Sequence, residues 1–209
     1  MIPRFPVYLF DIDGTLLDSA PDICGAIQQV LDGKPCRPVT FEYLKGFIGQ
    51  HLNAPFSELF PNYTAEQLQE LFQQYRTFYH ARRNANTRIY PGVAEALAVL
   101  GGRKATATTK GTPFSRVVLE QFDLLRYFDH VQGTDGFPSK PAPDVIFASL
   151  HALGAPPADC LFVGDSPADM EAGRRAGVQT CAVRYGYGTL EALARFEPNY
   201  WIDDLRELC

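Results

Sequence analysis

The sequence lacks a long apolar run near its start: the stretch Val7 to Phe10 stops at Asp11, too short for a secretory core or a membrane span. A cytoplasmic protein with no membrane partner is therefore expected. It also lacks paired cysteines. Cys24, Cys36, Cys160, Cys181 and Cys209 are odd in number, scattered and without a C-x-x-C spacing, which excludes a disulfide framework or a zinc knuckle and predicts reduced thiols. Positive charge is in deficit, 19 Lys plus Arg against 24 Asp plus Glu, for a net charge of −5. With no basic, aromatic-rich run, nucleic acid is excluded as a partner, while a local phosphate site stays open. There is no internal repeat and no low-complexity tract. What is present is ample apolar surface: 209 residues are 46% hydrophobic, with 15 Phe and 10 Tyr, enough to offset chain entropy. That length is large for one core and small for two, so one core with a sizeable insertion is expected.

Short apolar runs predict buried strands at Val7–Phe10, at Ala105 to Thr108, at Cys160 to Val163 and at Thr180 to Val183. Between the later ones lie helical patterns: Val93 to Leu100, Phe114 to Phe122 after Thr112-Pro113, Asp144 to Leu153, and Ala168 to Ala176. Strands alternating with helices imply βαβ units, hence an α/β fold with a Rossmann-like parallel sheet. The interval between the first strand and Ala105 is far longer than one crossover needs. Asp22 to Leu31 fits a helix within it. Thr64-Ala65-Glu66-Gln67 reads as a capping box opening a helix whose apolar face is Leu68, Leu71, Phe72, Tyr75, Phe78 and Tyr79. That aromatic stripe is expected to be core. With no clear strand pattern there, the chain is predicted to divide into an α/β core, residues 1–15 and 89–209, and an inserted small helical bundle, residues 16–88.

In an open parallel sheet ligands bind beyond the carboxyl ends of the strands, and the polar features fall at those ends. Asp11 and Asp13 follow the first strand, Thr108 and Thr109 the second predicted strand, and Asp165 with Asp169 the third. Residues two apart on a strand face the same way, so Asp11 and Asp13 can share a cleft, and Gly14 permits close backbone approach. Several carboxylates in one cleft repel one another unless a cation lies among them. All-oxygen ligation with neither His nor Cys points to Mg²⁺, with Asp11, Asp13 and Asp165 as candidate ligands. Asp169 fits either that role or the N-terminal dipole of the helix beginning near Ala168. Thr108 offers a hydroxyl, Thr109 a second candidate contact, and Lys140, between Ser139 and Pro141, a cation; the set suits a tetrahedral anion. Attack by Asp11 on phosphorus would give an aspartyl-phosphate, with Asp13 exchanging the proton in both half-reactions. His51, Arg83 and Arg88 lie in the insert near the cleft but are expected to be solvated, Lys110 fits either a substrate contact or a surface lysine, and Trp201 is expected to pack.

These motifs, Asp11-Ile12-Asp13-Gly14-Thr15, Thr108, Lys140 and Gly164-Asp165-Ser166-Pro167-Ala168-Asp169, strongly resemble in order those of the haloacid dehalogenase-like superfamily of phosphohydrolases. The resemblance runs the length of the chain, because the helical insert is similar to that superfamily's cap between the first and second motifs. Leu16-Leu17-Asp18-Ser19, Tyr90-Pro91-Gly92-Val93, Thr109-Lys110 and Arg184-Tyr185-Gly186-Tyr187-Gly188 look like the phosphoglycolate phosphatase-like group. The chain departs from that group's Thr-Asn-Lys by carrying Thr109 in the middle, and has Gly111 where Pro is common. The resemblance implies a Mg²⁺-dependent phosphatase acting on a small phosphorylated metabolite, 2-phosphoglycolate first among candidates. Alternatives are a β-phosphoglucomutase-like phosphomutase and a catalytically silent, phosphate-binding member of the fold.

Overall fold

The computed structural model describes residues 2–50 and 53–209. In chain order the main elements are β1 (Val7–Phe10), β2 (Leu17–Asp18), α1 (Ala20–Leu31), α2 (Phe41–Lys45), α3 (Ala54–Leu59), α4 (Ala65–Arg82), β3 (Arg88–Ile89), α5 (Val93–Val99), β4 (Arg103–Thr106), α6 (Thr112–Gln121), α7 (Asp144–Leu153), β5 (Cys160–Gly164), α8 (Pro167–Ala176), β6 (Gln179–Val183), α9 (Leu190–Ala194) and β7 (Tyr200–Ile202). Five strands form a parallel sheet in the order β4-β1-β5-β6-β7, with Val7 opposite Arg103 on one side and Cys160 on the other. The expected α/β architecture is the one observed.

Alternation along β1 explains the layers. Tyr8 and Phe10 enter a core built with Val93 and Leu97 of α5 and Val118 and Leu119 of α6, whereas Val7 and Leu9 enter a second core with Val145 and Ile146 of α7 and Ala172 of α8. Each large side chain so buried contributes about 1.5–3 kcal/mol, so a strand of only four residues is fixed by packing on both faces. Several strand and helix boundaries move by a residue or two against the sequence reading. β4 runs from Arg103 to Thr106, leaving Thr108 beyond its end; it takes in two basic residues that the apolar pattern passes over, Arg103 exposed and Lys104 buried, with its ammonium donating to Gly102 O at 3.2 Å. Helix α6 begins at Thr112 and α8 at Pro167, each with proline in the first turn.

Helices α1 to α4 have a core of their own, where Ile23, Ile27 and Leu31 at helical spacing meet Leu44, Phe56, Leu71 and Tyr75. The capping box of α4 is formed: Thr64 Oγ1 accepts from Gln67 N at 3.3 Å, and Thr64 N donates to Gln67 Oε1 at 2.8 Å. The two passages between this helical unit and the sheet run side by side as a two-stranded antiparallel ribbon, Leu17 opposite Ile89 and Asp18 opposite Arg88. That ribbon was not expected. No helix among the described residues is long and apolar enough to cross a membrane.

Candidate active site

Asp11 sits where β1 ends, its N–H held by Val163 O at 3.0 Å, while Ala107 N donates to Phe10 O at 2.8 Å. The site is thus wedged between the tips of β4 and β5. Asp11 is 2% exposed, and burial pushes its carboxyl up to about 6; the Lys140 ammonium and the Thr108 hydroxyl pull it down, and Asp169 and Asp13 push it further up. Lys140 Nζ lies 3.0 Å from Asp11 Oδ1 and 2.5 Å from Asp169 Oδ1, and donates to Ala107 O at 3.0 Å. All three ammonium donors therefore have an oxygen to face.

Asp165 is buried at the end of β5. Its Oδ1 accepts from Thr15 Oγ1 at 3.0 Å and its Oδ2 from Tyr187 N at 2.8 Å, while burial, Asp169 and Asp11 hold the carboxyl well above its ordinary value. Gly14 has φ 95°, and a Cβ there would stand 2.2 Å from Asp165 Oδ2, so only glycine lets the first loop approach this carboxylate. Asp169 sits in the first turn of α8, as one of the two expectations for it had it. Its Oδ2 closes a capping box with Ser166, accepting from Ser166 N at 2.9 Å and Ser166 Oγ at 2.6 Å, and its Oδ1 grips Lys140.

Asp11, Asp165 and Asp169 each offer a buried carboxylate oxygen, all within 4.8 Å of one another. One ammonium among three carboxylates leaves a net negative charge in low dielectric, and among the described residues Asp11 Oδ1 accepts no hydrogen bond of normal geometry. A hard, oxygen-seeking divalent cation fits this donor set. The Asp13 side chain points elsewhere: Oδ1 accepts from Ser19 Oγ at 2.6 Å, and Oδ2 lies 3.2 Å from Lys110 Nζ.

Lys110 links the sheet to the helical unit. Its Nζ donates to Tyr79 Oη of α4 at 3.0 Å and stands 4.6 Å from the centre of that ring. Burial would lower its pKa, but Asp13 and the tyrosines hold it above the ordinary lysine value. Thr109 Oγ1 donates to Gly49 O at 3.3 Å, again across to the helical unit. Between the two parts lies a cavity of about 480 Å³ that Asp11, Asp13, Thr108 and Lys110 share with Ile27, Phe47 and other apolar side chains. Arg83 forms the left-handed end of α4, and Arg88 donates to Ala85 O and Thr87 O of its own loop. His51 lies outside the described residues. Thr15, Ser19, Tyr79 and Tyr187 were not singled out as site residues from sequence. Thr15, Ser19 and Tyr187 fall within the quoted motifs, and Tyr187 lies between the glycines 186 and 188, where a Cβ would stand 2.2 Å from atoms of Asp165.

A parallel sheet bearing buried carboxylates at its carboxyl ends, opposed by helices inserted after the first strand, defines a hydrolase of the haloacid dehalogenase type. The chain belongs to the haloacid dehalogenase-like hydrolase family, whose profile matches residues 8–183. It is 34% identical over 214 residues to a phosphoglycolate phosphatase of Pseudomonas savastanoi pv. phaseolicola, covering 96% of this chain and 77% of that one. A phosphoglycolate phosphatase of Aquifex aeolicus is 33% identical over 190 residues, 89% of this chain and 88% of that one. Among solved structures, a predicted phosphatase from Clostridium acetobutylicum superposes with a TM-score of 0.90 at 30% identity, covering 99% and 97% of the two chains. A haloacid dehalogenase-like family hydrolase from Streptococcus pneumoniae gives 0.88 at 25% identity, covering 98% and 96%. The protein is an enzyme, a phosphoric monoester hydrolase.

Proposed function

We propose that this enzyme is a Mg²⁺-dependent phosphatase that hydrolyses 2-phosphoglycolate through an aspartyl-phosphate on Asp11. The observation that carries the reading is the convergence of the buried Asp11 carboxylate, the Thr108 hydroxyl and the Lys140 ammonium at the tip of β1. An Asp11 oxygen attacks phosphorus while the bond from phosphorus to the ester oxygen breaks, and Asp13 gives that oxygen its proton. Asp13 then takes a proton from the water that attacks the aspartyl-phosphate, releasing phosphate and restoring Asp11. The Thr108 hydroxyl and the positive charge of Lys140, whose three donors face Asp11, Asp169 and Ala107 O, hold the phosphoryl group in line with Asp11, with Thr109 beside them. Asp11, Asp165 and the Asp13 main chain are the groups that would hold Mg²⁺, with Asp169 behind them; when bound, the cation supplies neutralising charge for the phosphoryl oxygens.

Residues 1–15 and 89–209 act as the core and residues 16–88 as a cap whose closure excludes water during the first transfer and admits it for the second. The five free cysteines support a cytoplasmic setting. The test is phosphate release with Mg²⁺ across 2-phosphoglycolate, sugar phosphates, nucleoside monophosphates, pyrophosphate and an aryl phosphate. The highest kcat/KM is expected on 2-phosphoglycolate without any bisphosphate activator, with a loss of about a thousandfold or more in Asp11→Asn. Turnover unchanged in that variant overturns the mechanism, and weak, even rates across the panel overturn the substrate.

A further inference from the structure

The reaction leaves Lys110 without an assigned task, yet it is the cation beside the proposed proton donor. An ammonium has three donors. Among the described residues, Lys110 Nζ faces Asp13 Oδ2 at 3.2 Å and donates to Tyr79 Oη at 3.0 Å, which leaves one donor for the cavity its side chain lines. Its side chain is only 9% exposed, so its charge is little screened, and Tyr79 fixes it from α4 by both hydroxyl and ring face. An ester oxygen able to take a proton from Asp13 lies about 3 Å from that carboxylate. The carbon bonded to that oxygen, and any group on that carbon, then falls beside Lys110.

We propose that Lys110, steered by Tyr79, is the specificity-determining cation that receives a carboxylate on the leaving group, so that the preferred substrates are phosphate esters of α-hydroxy acids. The proposal rests on the reading of Asp13 as proton donor. In such an ester the carboxylate sits on the same carbon as the bridging oxygen, which places it within reach of an ammonium touching Asp13. Arg76 also lines the cavity, but it is exposed and stands 5.3 Å from the centre of the Phe114 ring rather than buried beside Asp13.

The experiment compares kcat/KM on 2-phosphoglycolate with that on ethyl phosphate, which has the same two carbons and no carboxylate. The ratio of the two is expected to exceed one in the native enzyme and to fall by about thirtyfold or more in Lys110→Met, the loss typical of removing one partner of a desolvated charge pair. Lys110→Arg is expected to restore part of it, and Tyr79→Phe to lower it in the same direction by less, with thermal melting verifying that each variant is folded. Equal loss on both esters in Lys110→Met overturns the proposal, since a lysine that only aims Asp13 serves every leaving group alike. A ratio lost in Arg76→Gln and kept in Lys110→Met overturns it as well. Native enzyme that hydrolyses ethyl phosphate as readily as 2-phosphoglycolate overturns the carboxylate preference while leaving the aspartyl-phosphate reading intact, and silence on both esters overturns the two together.

Discussion

At Asp11 two opposing effects meet. Burial favours the neutral carboxyl and raises its pKa from 3.8 to about 6, while Lys140 and Thr108 favour the ion that attacks. Between those two values the folded, metal-free chain binds more protons at this position than the unfolded chain does, so stability declines as pH rises through that interval. Asp165, also raised, adds to the same trend. Adding Mg²⁺ is therefore expected to raise the melting temperature more at pH 7.5 than at pH 5, where protons compete for the same oxygens. Asp165→Asn should be more stable than native enzyme without metal at pH 7.5, by on the order of 1–2 kcal/mol, and lose both activity and the response to Mg²⁺. Calorimetry at the two pH values with and without Mg²⁺ checks this; an equal Mg²⁺ effect at both would show that these carboxylates do not bind the ion.

Helix α1 is tied to the end of α4 through one buried side chain. Asp22 accepts from Arg82 Nε at 3.2 Å, Asn86 N at 2.9 Å, Asn86 Nδ2 at 3.0 Å and Thr87 Oγ1 at 2.9 Å. Burial alone would raise its pKa, but the hydrogen bonds from Asn86, Thr87 and Arg82 outweigh it and hold the carboxyl below its ordinary value. The stabilisation is therefore complete above the unfolded carboxylate value of about 3.9 and is lost as pH falls through the lower folded value. Asp22→Asn is expected to cost about 2–4 kcal/mol, read from the urea midpoint at pH 7, and to flatten the acid limb of the stability profile. The sequence shows Asp22 only as the start of a helical pattern, because its partners lie about sixty residues away. The same limit governs the elements. Helices α1, α4, α7 and α8 carry enough turns for their spacing or caps to be read, whereas α2, α3 and the two-residue strands β2 and β3 are too short for their pattern to repeat twice. In the site, Asp11, Thr108 and Asp165 stand out because each ends or follows a legible strand, and Lys140 because it follows Thr108 in order within a proline-flanked segment, while Thr15 and Tyr187 reach Asp165 only through the folded chain.

Across the whole molecule, one residue after β6 reaches both the sheet and the start of the helical unit, the proposed cap. Tyr187 N donates to Asp165 Oδ2, and its Oη accepts from Ser19 N at 2.7 Å and Ala20 N at 2.9 Å at the entry to α1, and donates to Asp18 Oδ1 at 3.0 Å. The neighbouring Ser19 hydroxyl holds Asp13. Position of the cap and aim of the proposed acid/base are thus set by the same short passage, β2 and the first turn of α1. Tyr187→Phe removes only the hydroxyl, leaving two N–H groups at the start of α1 and the Asp18 carboxylate short of a partner. That loss is expected to cost about 1–3 kcal/mol. Its signature should exceed plain destabilisation: limited proteolysis should cut faster at the two passages, residues 16–19 and 83–90, at temperatures well below melting, because a looser hinge opens them locally without unfolding the sheet. If the cap moves as a body about this ribbon, kcat should fall by several-fold while the response to Mg²⁺, set by Asp11 and Asp165 on the core side, stays as in the native enzyme. Equal cutting rates in variant and native chains would place the hinge elsewhere, and the Tyr187 hydroxyl would then serve the helix start alone.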